Sequence, residues 1–155
     1  MFLEKVIGQF EKYRIPYALV GGHAVALHGA VRGTIDLDFI ITWSLRNLQL
    51  VESALSEIGL VPRLPITPED LFNFKQEYID NKNLIAWSFV NPDHPVEMVD
   101  IVITWNLKKN MIDRMKLKTR RINVLAKKHL IAMKKSSTRE QDSIDARILE
   151  QLDET

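Results

Sequence analysis

Residues 17–42 limit the possible folds more than any other part of the chain. The short apolar run Tyr17–Val20 predicts a strand, and the adjacent Gly21 and Gly22 predict a turn at its end. Residues 23–28 predict a short helix, and residues 34–42 predict a second strand. The two strands are close enough in the sequence for this one helical piece to connect them.

Helices and strands are interspersed along the rest of the chain. Apolar residues recur at helical spacing over about 2–13 and 45–58. Apolar runs over 84–90 and 96–104 predict a hairpin whose turn is 91–95. A loop is predicted before this hairpin by three prolines, Pro62, Pro65 and Pro68. The pattern predicts an α+β fold, in which a small mixed β-sheet is flanked by helices.

The C-terminal third is predicted to be mainly helical. Residues 122–125 predict one short strand, and Ser137 with Glu140 fits a capping box that begins a last helix through Leu152. The length of 155 residues supports a single domain, 1–155. We divide it into a core of about 1–105 and a basic, helical C-terminal part of about 106–155.

The formal net charge of +1 hides a strong asymmetry. Residues 107–139 contain twelve basic side chains and one acid, Asp113, for a net charge of +11, whereas the other residues contain nine basic and nineteen acidic side chains, for −10. Such a basic segment indicates either a polyanionic partner or a solvated helical face. The twelve are Lys108, Lys109, Arg114, Lys116, Lys118, Arg120, Arg121, Lys127, Lys128, Lys134, Lys135 and Arg139.

The composition excludes several kinds of site. The chain has no cysteine, which excludes disulfides, thiolate zinc sites and cysteine catalysis. No apolar run approaches the roughly 18–20 residues of a membrane span. The first residues lack the charged-then-apolar layout of a signal peptide. We therefore expect a cytoplasmic protein that does not contact a membrane.

Three aspartates are the strongest candidates for chemistry. Asp36 and Asp38 are two residues apart on a predicted strand, so their side chains point to the same face. Two carboxylates on one face repel each other unless a cation lies between them. Asp100 lies in the apolar run 96–103 and is costly to bury unless it is paired or binds a metal.

Each of these acids also has an ordinary structural interpretation. Asp36 and Asp38 could line a solvated face, and Asp100 could pair with a basic residue of the C-terminal segment. The glycines ahead of them favour the functional interpretation, because Gly21 and Gly22 let the backbone approach a ligand and present N–H groups to phosphate. Carboxylates of this kind hold Mg²⁺, and two such ions about 3.5–4 Å apart would suit phosphoryl-type transfer on a nucleotide.

The motif in residues 17–38 resembles the signature of the nucleotidyltransferase superfamily, which includes DNA polymerase beta. The residues that carry the resemblance are the run Tyr17-Ala18-Leu19-Val20-Gly21-Gly22-His23-Ala24, then His28-Gly29, Arg32, Thr34, Asp36 and Asp38. The chain is most similar to the AbiEii-like branch, the toxins of type IV toxin–antitoxin and abortive-infection systems. The tail from Leu130 to Lys134, with Arg139, Asp142 and Asp145, also resembles that branch, so the resemblance covers about 17–152.

The resemblance implies roles for individual residues. Asp36 and Asp38 would hold two Mg²⁺ ions, and Asp100 would ligate one of them and help to deprotonate the acceptor hydroxyl. The nucleotide would be bound by Gly21, Gly22, His23, Arg32, Thr34 and Lys134. Many relatives have serine where this chain has Gly22, which leaves more of the phosphate binding to backbone N–H groups.

Other polar residues have more ordinary interpretations. His23 and His28 are five residues apart, too far for a shared helical face, so we do not expect a metal pair. Arg32 could contact phosphate or pair with Asp36. We expect Asp142 to pair with Arg139 one helical turn away.

These observations predict an enzyme that moves a nucleoside monophosphate from an NTP, with Mg²⁺, to a hydroxyl on RNA such as tRNA, a protein or a small molecule. The basic segment makes RNA the leading acceptor, because lysine and arginine neutralise backbone phosphates. A toxin–antitoxin role with a cognate partner protein is a further hypothesis. The alternative is a non-catalytic antitoxin or nucleic-acid-binding module. The RNA contacts would be made by Lys116, Lys118, Arg120 and Arg121.

Overall fold

The computed structural model describes residues 1–29, 36–137 and 139–153. This part of the chain contains six α-helices and seven strands. The helices are α1 (Phe2–Lys12), α2 (Gly21–Leu27), α3 (Leu45–Glu57), α4 (Pro68–Lys82), α5 (Lys127–Lys135) and α6 (Glu140–Asp153). The strands are β1 (Tyr17–Val20), β2 (Leu37–Ile41), β3 (Val61–Pro62), β4 (Ala86–Asn91), β5 (His94–Val102), β6 (Ile112–Leu117) and β7 (Arg120–Leu125).

All seven strands belong to one mixed sheet, in the order β3-β4-β5-β2-β1-β7-β6. The central strand β2 pairs antiparallel with β1 and parallel with β5. β1 also pairs parallel with β7, and the antiparallel hairpins β4–β5 and β6–β7 occupy opposite sides of the sheet. This arrangement confirms the predicted α+β fold with a small mixed sheet flanked by helices.

An aromatic cluster joins α1 to one face of the sheet. Phe10 of α1 lies 5.0 Å from the ring of Phe39 on β2 and 5.7 Å from the ring of Tyr17 on β1. All three side chains are buried. Because side chains alternate along a strand, Asp38 next to Phe39 must point to the opposite face of the sheet. Because Phe39 packs in the core on the α1 side, the Asp38 carboxylate lies on the other face of the sheet.

The largest difference from the sequence prediction is α4, where we expected only a loop. The Thr67 hydroxyl accepts a hydrogen bond from the backbone N–H of Asp70, the Asp70 carboxylate accepts one from the Thr67 N–H, and Pro68 occupies the first turn. Proline is well tolerated at this position because its missing N–H has no partner there in any helix. The helix was missed because only Pro68 and Leu71 are buried, so its apolar periodicity is weak.

The C-terminal part expected to be mainly helical contains the hairpin β6–β7 over 112–125, of which only the strand at 122–125 was predicted. Its two-residue turn at Lys118 and Thr119 lacks the Asn-Gly or Asp-Gly signal typical of such turns. Lys118 instead adopts the left-handed conformation, with φ of 56°. Helices α5 and α6 follow, as expected. The Arg139 N–H donates to the Ser137 hydroxyl at 3.1 Å, while the Glu140 half of the expected capping box lies outside the described side chains.

Most of the remaining elements confirm the predictions within a few residues: α1, β1, α3, the β4–β5 hairpin and β7 occur where the patterns placed them. α2 begins earlier than predicted, because Gly21 and Gly22, expected to form a turn, are its first two residues. The short strand β3 lies in the predicted loop. In the described residues, no helix has the length and apolar content needed to cross a membrane.

Phe10→Ala should destabilise the protein by about 3–5 kcal/mol, because it leaves a cavity against Phe39 and Tyr17. Urea unfolding monitored by circular dichroism measures this loss. Phe72→Ala is the matched control, since Phe72 is 41% exposed on α4 and its removal should cost less than about 0.5 kcal/mol. Equal losses in the two variants would contradict the described core.

Candidate active site

Strand register brings two of the predicted carboxylates together. In the parallel β2–β5 pair, Asp38 and Asp100 are direct neighbours, and in the antiparallel β1–β2 pair, Asp38 is the neighbour of Val20. Val20 is the residue before Gly21, so the glycine turn begins beside Asp38. Asp36 lies just before β2 and faces the same cleft as the other two aspartates.

These residues line one cleft of about 600 Å³. The acidic wall is formed by Asp36, Asp38 and Asp100, next to the turn at Gly21 and Gly22. A second part of the wall comes from α5, α6 and the segment between them, including Met133, Lys134, Ser137, Arg139 and Asp142. The third wall is apolar and includes Ile85, Val102 and Trp105. The cleft therefore offers an acidic, a basic and an apolar surface to one ligand or a pair of ligands.

Gly21 cannot be replaced without disturbing Asp38. Its φ of +70° lies in the left-handed region, which favours glycine. A Cβ added to Gly21 would stand 2.2 Å from Asp38 Oδ2 and 2.9 Å from Cγ. The glycine thus lets the backbone approach the carboxylate at a distance that no side chain permits.

The electrostatics of Asp38 are those of a crowded acidic site. Burial raises its pKa most, and the charges of Asp100 and Asp36 raise it further, to about 7. The charges of Lys134 and Arg139 lower the pKa, but by less. Near neutral pH, Asp38 is therefore protonated in part of the molecules, and a cation bound at this carboxyl group would displace the proton.

Asp100 is oriented by a residue that sequence reasoning did not single out. The Ser88 hydroxyl on β4 donates to Asp100 Oδ1 at 2.5 Å, and the two residues are direct neighbours in the β4–β5 hairpin. One carboxylate oxygen is held in this way, which leaves the other oxygen available to a ligand. The strand spacing of Ser88 and Asp100 across a predicted hairpin was the signal that could have revealed the pair.

The donor set fits a divalent cation that arrives with a phosphate ligand. Among the described side chains, no group of three His, Asp or Glu residues is arranged to hold a metal ion unaided. Mg²⁺ sites for nucleotides usually use one or two carboxylates, and phosphates and waters complete the shell. The mutual repulsion that raises the pKa of Asp38 is relieved by such an ion. Ligation by Asp36, Asp38 and Asp100 stays a prediction.

Lys134 lies in the cleft wall but is buried and engaged. Its side chain is 8% exposed, and Nζ lies 2.8 Å from Asp142 Oδ1 and 3.3 Å from Asp145 Oδ2. Burial alone would raise the pKa of Asp142, but hydrogen bonds from Arg139 and Lys134 outweigh burial and hold it well below its ordinary value. The expected Asp142–Arg139 pair is present, with Arg139 Nε donating to Asp142 Oδ2 at 2.8 Å.

The other predicted nucleotide-binding residues are placed less directly. His23 lies on α2 and does not line the cleft; burial lowers its pKa, against a smaller opposing effect of Asp36. His28 has a structural contact, since its Nε2 lies 2.9 Å from the Leu125 carbonyl oxygen. Arg32 and Thr34 lie outside the described residues. Their predicted roles remain open.

The structure disperses the basic segment over several surfaces. Of the twelve basic residues, only Lys134 and Arg139 line the described cleft. Two of the four residues predicted to contact RNA pair with glutamates of α1: Lys118 with Glu4, and Arg120 with Glu11. The positive charge is therefore partly neutralised within the chain.

Solved structures with the same architecture are nucleotidyltransferases. The lincosamide antibiotic adenylyltransferase LnuA, with lincomycin bound, is 17% identical, with a TM-score of 0.64 over 97% of this chain and 96% of that chain. The chain has the nucleotidyltransferase fold. The antibiotic-resistance factor ANT(2'')-Ia gives 11% identity and a TM-score of 0.63, over 96% and 80% of the two chains.

A nucleotidyltransferase-like protein from Paracoccidioides brasiliensis gives 14% identity and a TM-score of 0.55, over 97% of this chain and 72% of that chain. No family model and no curated protein sequence matches the chain. These structures therefore support the nucleotidyltransferase fold, and membership of the superfamily stays a prediction. The AbiEii-like branch stays a prediction.

Gly21→Ala should destabilise the protein by at least about 1–2 kcal/mol, because the left-handed conformation is strained for alanine and the new Cβ displaces Asp38. Gly8→Ala is the matched control: nothing lies within 4 Å of an added Cβ in α1, so it should stabilise by about 0.5–1 kcal/mol. Urea unfolding of both variants tests the pair. A neutral Gly21→Ala substitution would contradict the close approach to Asp38.

Asp38→Asn should stabilise the metal-free protein by an amount that grows as the pH rises. The folded pKa of about 7 exceeds the ordinary aspartate pKa of 3.8 expected in the unfolded chain, so folded wild type keeps a proton that the unfolded chain has lost. As the pH rises from about 4 to 7, the free energy of unfolding of the wild type therefore falls by at most a few kcal/mol. The variant has no carboxyl group at this position and does not lose this stability. Urea unfolding of both proteins in EDTA measures the difference. A pH-independent difference would contradict the raised pKa.

Proposed function

We propose that the protein is a Mg²⁺-dependent nucleotidyltransferase that moves a nucleoside monophosphate from an NTP to a hydroxyl group. The observation that carries the proposal is the convergence of Asp36, Asp38 and Asp100 beside Gly21 and Gly22 in one cleft. Acidic side chains next to a close-approaching backbone turn suit a metal-bound triphosphate. The fold shared with adenylyltransferases supports the same activity.

The carboxylates of Asp36, Asp38 and Asp100 would hold the cation. When bound, Mg²⁺ neutralises triphosphate charge and favours the ionised form of the attacking hydroxyl. The N–H groups at the Gly21–Gly22 turn would contact phosphate oxygens, since no side chain intervenes there.

The transfer step makes one bond and breaks one. The acceptor hydroxyl oxygen bonds to the α-phosphorus, the bond from that phosphorus to the bridging oxygen of pyrophosphate breaks, and Asp100 accepts the hydroxyl proton. Ser88 supports this role because its hydrogen bond to Oδ1 fixes the orientation of the Asp100 carboxylate. Pyrophosphate leaves with the electron pair of the broken bond.

A small hydroxylated compound is the acceptor class that we propose. Ile85 is 64% exposed at the cleft, beside Val102 and Trp105, which gives the acceptor an apolar surface next to Asp100. Two proteins with the same fold were solved with small molecules, LnuA with lincomycin and ANT(2'')-Ia with adenylyl-2''-tobramycin. The RNA hypothesis has less support than the sequence suggested, because ion pairs with α1 occupy Lys118 and Arg120.

One observation still favours RNA as a second candidate. Lys116 and Arg121 are exposed cross-strand neighbours on the β6–β7 hairpin, and like charges in direct opposition are unfavourable without a counterion. A polyanion would relieve this repulsion. A toxin–antitoxin role would add a cognate protein partner, and growth arrest on expression that Asp38→Asn abolishes would support it.

The wild-type protein should transfer label from an α-labelled NTP, with Mg²⁺, to the low-molecular-mass fraction of a cell lysate. Asp38→Asn and Asp100→Asn should each reduce transfer by about 100-fold or more, because they remove a metal ligand or the proton acceptor. Asp113→Asn is the matched control, since Asp113 is an exposed acid on β6 outside the cleft.

Parallel reactions with total RNA separate the acceptor classes. Label in RNA that disappears in Lys116→Glu/Arg121→Glu would replace the small-molecule acceptor with RNA. No transfer to either fraction, or equal transfer by Asp38→Asn, would contradict the enzyme and favour the non-catalytic binding module.

A further inference from the structure

The cleft contains two cations whose environments differ sharply. Within the described residues, Lys134 and Arg139 are the only basic side chains in its wall. The Lys134 side chain is 8% exposed, whereas the Arg139 side chain is 71% exposed. The motif resemblance had assigned phosphate binding to Lys134. The difference in exposure favours Arg139 for that contact.

Lys134 is already committed to two carboxylates. Its amino group lies between Asp142 Oδ1 at 2.8 Å and Asp145 Oδ2 at 3.3 Å, and both aspartates are buried. A buried ion pair that loses one partner leaves an uncompensated charge, which is strongly destabilising. A phosphate that drew the Lys134 amino group into the cleft would separate it from Asp142 and Asp145, and the protein would be destabilised. The amino group instead joins α5 to α6 through Asp142 and Asp145.

Arg139 is held in place but keeps hydrogen-bond donors that have no partner among the described residues. Its Nε donates to Asp142 Oδ2 at 2.8 Å and its Nη2 donates to Asp142 Oδ1 at 3.1 Å. This bidentate pair uses two of the five N–H donors of the guanidinium group. The other three donors sit on a side chain that remains largely exposed at the cleft.

We infer that Arg139, oriented by Asp142, is the cation that binds the NTP triphosphate, and that buried Lys134 is a positioning residue. This inference rests on the proposed function and names the phosphate contact of that same site. Guanidinium matches phosphate oxygens geometrically and binds them through paired N–H donors. Asp142 connects the two basic residues, because it accepts hydrogen bonds from both Lys134 and Arg139.

The charge balance of the cluster supports this division of roles. Lys134, Arg139, Asp142 and Asp145 together carry no net charge, so the buried pair is compensated before any ligand arrives. The charge of Arg139 nevertheless acts on Asp38 across the cleft. A triphosphate between Arg139 and a cation on Asp38 would be neutralised from both sides.

The test measures binding of inorganic tripolyphosphate with Mg²⁺ by titration calorimetry, which needs no knowledge of the base or the acceptor. Arg139→Gln should weaken binding by about 10- to 100-fold, the loss typical of a charged hydrogen-bonded contact. Lys135→Gln is the matched control, because it removes one positive charge from the end of α5, four residues before Arg139. Lys135 pairs with Glu150 and does not line the cleft, so its loss should change binding less than about 2-fold.

Two further variants separate positioning from direct contact. Arg139→Lys keeps the charge but loses the fork geometry, so it should restore only part of the affinity. Asp142→Asn should weaken binding in wild type but add little in the Arg139→Gln background, since it acts through Arg139. Thermal unfolding of each variant establishes the temperature at which all are folded. If Asp142→Asn does not fold, the two Arg139 variants decide the question.

The possible results are distinguishable. Wild type that binds tripolyphosphate, with Arg139→Gln binding equally well, would overturn the inference and leave the proposed function standing. Equal losses in Lys135→Gln and Arg139→Gln would also overturn it, because general charge would then explain the effect. Wild type that binds no tripolyphosphate with Mg²⁺ would overturn both the inference and the proposed function.

Discussion

Repulsion between carboxylates on neighbouring strands is the constraint on which the rest of the site depends. The β2–β5 register places Asp38 beside Asp100, and burial with the nearby charges raises the pKa of Asp38 to about 7. Such a pair weakens a domain of ordinary stability unless a ligand compensates it. The hydrophobic core on the opposite face, around Phe10 and Phe39, supplies the rigidity that holds it in place.

The surrounding residues fit this acidic centre. Gly21 lets the chain pass within a distance of Asp38 that any side chain would block. Ser88 fixes one oxygen of Asp100. The part of the cleft wall that comes from α5 and α6 contains a charge-balanced cluster of ion pairs. This cluster includes the exposed Arg139, which lines the same cleft as the aspartates. One cleft therefore contains acidic side chains that attract a cation and a basic side chain that attracts an anion, as a metal-bound triphosphate requires.

The sequence was most informative where chemistry and periodicity coincided. The glycine turn and the alternation in β2 correctly predicted that Asp36 and Asp38 share a face, and the apolar run around Asp100 predicted a strand. The register that joins Asp38 to Asp100 could not be predicted, because it depends on long-range pairing of β2 with β5. α4 and the β6–β7 turn were missed because one has weak apolar periodicity and the other uses Lys118 at a left-handed position. Burial of Lys134 could not be predicted either, because it depends on tertiary packing: Asp142 and Asp145 approach Lys134 only when α6 folds back on α5.

The central claim is that a divalent cation binds where β1, β2 and β5 meet. Paramagnetic broadening of amide NMR signals by Mn²⁺, used in place of Mg²⁺, tests this directly. The account predicts broadening centred on Gly21, Asp38 and Asp100, with the turn end of the β6–β7 hairpin at Lys118 and Thr119 much less affected. Broadening centred instead on another acidic pair, such as Glu52 and Glu69 between α3 and α4, would contradict it.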